Sequence, residues 1–168
     1  MKGDSLIYIV LKYLHVLGVL LFMMAHGVSA GVAFQVRKER NLERLRALLD
    51  LSSSSYGVMY GGLLLLLLAG IITGFLGHWW NKGWIWLSLG LLILITMSMY
   101  FMGSQYYHKV RKAVGLPYMQ GNKNYPAVEP DSSEVIEALL KTGRAALLAV
   151  IGFGGVAIIA FLMIFKPF

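Results

Sequence analysis

The sequence contains no cysteine and only eight acidic residues among 168. The first absence removes disulfides, thiolate metal sites and thiol nucleophiles from consideration. The second removes more, because all eight Asp and Glu fall outside the long apolar runs. Proton pumps and cation carriers that rely on carboxylates buried in the membrane are therefore disfavoured. No Gly-rich phosphate loop and no His-Glu-x-x-His metal motif occurs either. Charged residues make up 14% of the chain and hydrophobic ones 58%, against about 25% and about 45–50% in soluble domains. That excess of apolar surface calls for lipid.

Four apolar runs supply it, over residues 6–35, 56–80, 84–107 and 144–165. A helix needs about 20 residues to cross the hydrocarbon, and a helix is the one open element that satisfies its own backbone there. The spacing predicts an all-α fold, a four-helix transmembrane bundle formed by a single integral domain. The first run is too long for the h-region of a secretory signal, so it is expected to be retained. Gly57 with Gly61, and Gly70 with Gly74, place small residues four apart, where helices are expected to touch.

The net charge of +7 is concentrated in two places. Arg37, Lys38, Arg40, Arg44 and Arg46 follow the first run, and Lys109, Arg111, Lys112, Lys123 and Lys141 follow the third. Both loops should face the cytoplasm by the positive-inside rule, with both termini, Lys2 and Lys166, outside. Trp79, Trp80, Trp84 and Trp86 flank the short Asn81-Lys82-Gly83 turn, as in an aromatic belt. This charge pattern needs no nucleic acid, and the expected setting is a cytoplasmic (inner) membrane. Leucines at helical spacing predict an amphipathic helix over residues 41–51. Pro117, Pro126 and Pro130 predict an irregular second loop, ending where Asp131 caps a helix with Glu134 three residues on.

The chemistry concentrates in the first run. Lys12 and His15 are three residues apart, and His26 returns to nearly the same face eleven residues later, about 16 Å along the axis. Ionisable groups at such depth usually face the bundle interior, a partner or a water-filled cavity. Imidazole ligates haem iron and copper, and thioether sulfur can complete a haem site or hold Cu(I). Met97, Met99 and Met102 run toward the depth of His26, with Met99 on a stripe with Gly103 and Tyr107. Gly18, on the histidine stripe, is expected to leave room for a flat ligand. Lys12 either snorkels to the headgroups or supplies charge to an anionic group such as a haem propionate. His78 and His108 lie near opposite interfaces, off the depth of either span-one histidine.

The run Leu11-Lys12-Tyr13-Leu14-His15-Val16-Leu17-Gly18 resembles the opening Lys-x-x-His-x-x-Gly signature of a group of small bacterial membrane proteins. These include an uncharacterised family of predicted four-helix integral membrane proteins and, more distantly, the copper-resistance D type and the HemJ-type protoporphyrinogen oxidase. The resemblance implies that His15 binds haem b. The HemJ type opens its third helix with Gly-Trp-x-His-x-Lys, and Gly83-Trp84-Ile85-Trp86-Leu87-Ser88 is similar but has Trp86 and Ser88 in place of the His and Lys. The leading expectation is thus a haem b-binding membrane protein in electron transfer or haem handling, with His15 as ligand, Lys12 beside it and His26 as the candidate for a second site. Copper handling through His15, His26 and the methionines is the alternative. A non-catalytic accessory subunit of a larger complex, or a homo-oligomer, is a third.

Overall fold

The computed structural model describes residues 5–168; Lys2 lies outside the described residues. The chain begins with α1 (Leu6–Val36), turns, and continues as α2 (Leu42–Ser54) and α3 (Tyr56–Leu76), which are separated only by Ser55. The third span joins α4 (Gly83–Ser98) to α5 (Gln105–Ala113) through a π turn at Met99–Ser104. The last joins α6 (Ser133–Leu140) and α7 (Arg144–Ala149) through a second π turn, Val150–Gly154, to α8 (Gly155–Phe165). The fold is an all-α four-helix bundle, and four of its helical stretches are long and apolar enough to cross a membrane. Leu64, Phe75, Ile93 and Ile164 present large exposed side chains, which suits a multi-pass protein whose outer faces contact lipid.

Helix α1 lies along α3 because two glycines meet there. A methyl group on Gly18 would sit 2.6 Å from the Leu66 nitrogen and 2.9 Å from the Gly62 oxygen, so the backbones are in contact. The space expected beside Gly18 for a ligand is therefore filled by α3. The expected glycine pairs act differently too. Gly57 and Gly61 have nothing within 4 Å, whereas Gly70 receives the ring of His15 and Gly74 the indole of Trp80. Helix α4 packs along α8, where Gly155 receives the Ile95 side chain.

The end of the bundle that carries the basic loops, here the basic end, is closed by an apolar core. Val32 and Val36 of α1 meet Leu45 and Leu49 of α2, Tyr106 and Val110 of α5, and Ile136 and Leu140 of α6. Helix α2 is amphipathic, capped by Asn41, whose side chain accepts from the Arg44 N–H. The second loop is more regular than its prolines suggest. Tyr118–Gln120 and Lys123–Tyr125 form a short antiparallel hairpin around Gly121-Asn122, with Gly121 at φ 61° and Tyr118 stacked on Tyr125. Asp131 does not cap α6. Its N–H is taken by the Ala113 carbonyl at 2.8 Å, and the cap falls on Ser132.

The first turns of α1 and the last residue, Phe168, lie at the opposite, tryptophan end. Tyr8 meets Trp79 edge-on at 6.0 Å, and the Phe168 carbonyl accepts from the Trp84 N–H at 3.4 Å.

Candidate functional site

Between the α1–α3 pair and the α4–α8 pair, toward the tryptophan end, lies a cavity of about 420 Å³. This is within the roughly 300–1,000 Å³ of small-molecule sites. Its walls are apolar: Val19 and Phe22 from α1, Leu67 from α3, Leu92 from α4, Ile159 and Ala160 from α8. Few polar groups interrupt them, and those few cluster. Lys12, His15, Ser88, Trp80 and Lys166 all line the same space.

His15 is held by the notch at Gly70. Any side chain there would collide, since a methyl group would stand 2.8 Å from Nδ1 and 3.0 Å from Cε1 of the imidazole. Nδ1 lies 2.7 Å from the Leu66 carbonyl oxygen. A carbonyl can only accept, so Nδ1 carries the hydrogen, and in the neutral imidazole the lone pair is on Nε2. A backbone carbonyl that fixes one ring nitrogen is the usual means of orienting a ligating histidine.

Lys12 lies over the Tyr8 ring, 4.6 Å from its centroid. Lys166 ends α8 in a left-handed conformation, φ 46°, with its ammonium over Trp79 at 4.0 Å and Trp84 at 5.6 Å. A non-glycine residue with such a φ is uncommon; here the aromatic faces hold the cation. Two ammonium groups thus belong to the cavity's polar end. The Trp80 Nε1–H is buried with no hydrogen-bond partner among the described residues. Ser88 is buried and donates back to the Trp84 carbonyl at 2.8 Å, while Trp86 turns away, exposed, to donate to the Trp80 carbonyl.

His26 is not in this cavity. Its ring stacks on Phe22 at 5.8 Å, meets Phe153 edge-on at 5.3 Å, and sets Nε2 where a side chain on Gly152 would begin. The Met99 methyl converges on the same spot, 3.0 Å from where a Gly152 side chain would begin. Met99 opens one π turn and Gly152 lies within the other. π turns are rare and frequent at functional sites. His26 Nε2 is buried with no hydrogen-bond partner among the described residues. The structure thus brings Lys12 and His15 to one site and His26 and Met99 to another. His78 is exposed at the tryptophan end, and His108 accepts from the Met119 N–H at 3.2 Å near the basic end. Among the described residues, no three His, Asp or Glu gather as a metal cluster.

Sequence reasoning missed Lys166, Trp80 and Met163, which also lines the cavity. One signal was available: Met163 and Lys166 are three residues apart near the end of the last span, as Lys12 and His15 are near the start of the first. No protein-family model, curated protein or solved structure matches the chain.

Proposed function

We propose that the cavity binds haem b and that the protein serves membrane electron transfer or haem handling. One observation carries this reading: His15, oriented by the Leu66 carbonyl through Nδ1, lines an apolar cavity whose polar end holds Lys12 and Lys166. The donor set suits the group. A porphyrin asks for apolar walls, a nitrogen ligand with a free lone pair, and cations for its two propionates. When bound, haem supplies one-electron exchange at iron. His15 would hold the iron, Lys12 and Lys166 the carboxylates, and the apolar walls would exclude water.

The test is an absorption spectrum of the detergent-purified protein, expressed with haem supplied. The parent should show a Soret band. His15→Gln keeps a hydrogen-bonding side chain but loses the strong iron ligand, and should insert and purify like the parent while losing most of that band. A parent without a Soret band overturns the haem reading and leaves the accessory-subunit reading.

A second reading, copper handling, is favoured by the buried Nε2 of His26 beside Met99. Imidazole and thioether are suitable ligands for Cu(I). Copper retained after anaerobic loading, and lost in both His26→Gln and Met99→Leu, supports it; equal retention in both variants refutes it. The expected setting is the inner membrane with both basic loops in the cytoplasm. Cysteines placed at Ser53 and Asn122 should then resist an impermeant thiol reagent on intact cells, and rapid labelling would reverse the topology.

A further inference from the structure

One haem ligand leaves a coordination position opposite it, so the wall facing His15 matters. The depth of each residue along the bundle follows from a contact. His26 of the first span touches Gly152 of the last, and Met99 of the third reaches the same spot, so these three residues share one level. The first span runs toward the basic end and the last runs back. Eleven residues from His26 toward the tryptophan end is His15, and eleven from Gly152 in the same direction is Met163. At 1.5 Å per residue both steps cover about 16 Å. His15 and Met163 are therefore at one depth, on opposite helix pairs, and both line the cavity. Eleven residues from Met99 is Ser88, buried on the third wall and satisfied by the Trp84 carbonyl. The lysines lie one turn farther toward the tryptophan end on each flank, Lys12 three residues from His15 and Lys166 three from Met163.

We propose that Met163 is the second axial ligand, so that His15 and Met163 hold the iron from opposite walls and Lys12 and Lys166 each meet one propionate. Four observations agree on it: equal depth, a shared cavity, facing helix pairs, and the repeated three-residue offset to a lysine. Of the other polar side chains lining the cavity, Thr73 and Ser88 are hydroxyls already donating to the Ala69 and Trp84 carbonyls. Thioether sulfur is a known partner of imidazole on haem iron and raises the reduction potential. The inference rests on the haem reading above and deepens it.

The experiment uses the full chain reconstituted with haem b, comparing the parent with Met163→Leu and Met163→His by electron paramagnetic resonance and redox titration. Leucine is of similar volume and apolar, so folding should be retained. The parent should be low-spin. Met163→Leu should keep its Soret band but turn high-spin, fall in midpoint potential and bind added imidazole at least tenfold more tightly than the parent. Met163→His should return to low-spin at a lower potential than the parent. A parent that is high-spin, or a Met163→Leu variant that stays low-spin, overturns the assignment of Met163 while leaving His15 as ligand. A parent that takes up no haem overturns both this inference and the reading beneath it.

Discussion

At the basic end of the bundle Val36, Val110 and Val114 are wholly shut from solvent, whereas at the tryptophan end the same four spans line a partly open cavity of about 420 Å³. The difference lies in what fills the gap between helix pairs. At the basic end, α2 runs on into α3 and α6 leads into the last span, and their side chains Leu45, Leu49, Ile136 and Leu140 fill the gap. At the tryptophan end, among the described residues, the gap is lined by the indoles of Trp79, Trp80 and Trp84, with Lys166 over Trp79 and Trp84. One end therefore carries stability and the other is free to carry a ligand.

The largest effect should come from thinning the packed end. Leu49→Ala removes a side chain that is 3% exposed, and Leu→Ala in such a core costs about 2–5 kcal/mol. Leu92→Ala, at the cavity wall and only partly buried, should cost roughly 1 kcal/mol because less of its apolar surface is withdrawn by folding. Thermal unfolding of the ligand-free protein in detergent measures both. Equal costs would mean that the two ends are packed alike and would break the comparison.

Next in size is the notch that seats His15. Gly70→Ala places a methyl group 2.8 Å from Nδ1, which should push the ring off the Leu66 carbonyl. Losing that hydrogen bond is worth about 1 kcal/mol, so haem affinity should fall roughly fivefold. Gly61→Ala, with nothing within 4 Å, should leave binding and melting unchanged. Haem titration of the two variants separates a seat for a ligand histidine from plain helix packing; identical titrations would assign Gly70 no part in the site.

Much of this frame is legible in the residues. The four apolar runs announce four helices because lipid leaves the backbone few other solutions, and His15 stands out because an imidazole in such a run needs a partner. Gly18 misleads for a physical reason: a missing side chain admits a neighbouring helix as readily as a ligand, and Gly62 on α3 supplies the helix. Lys166 and Met163 escape notice because a lysine near a span end reads as an interfacial anchor and a methionine as packing. Only the pairing of α8 against α4 brings them to the wall facing His15. The hairpin at Gly121-Asn122 was hidden by the three prolines that flank it.

Charges at the basic end should matter less than its core, which sharpens the contrast. Arg111 donates to Asp50 at 2.9 Å, joining α5 to α2, but the Asp50 side chain is 56% exposed. Such pairs are worth about 0.2–1 kcal/mol. Asp50→Asn should lower the melting point by no more than that implies, and a loss near that of Leu49→Ala would show that ion pairing, not burial, closes this end.

The smallest effect should be the pH response of the turn that delivers α1 to α2. The Glu39 carboxylate accepts from the Asn41 N–H at 2.9 Å and the Arg40 N–H at 2.8 Å. These bonds, Asn41 first, hold its pKa below the ordinary value of 4.5. A carboxyl whose pKa is depressed by folding binds its proton more weakly in the folded state. Its contribution to stability is therefore present in full above the unfolded value and fades as pH falls through the folded one. The group is fully exposed, so water screens what it gains. Melting curves at pH 7 and pH 3 should show the parent losing slightly more stability on acidification than Glu39→Gln, whose amide oxygen can still accept but does not titrate. If parent and variant respond identically to acid, the bonds at this turn organise the chain without adding to its stability, and burial beneath α2 and α6 alone sets the strength of the basic end.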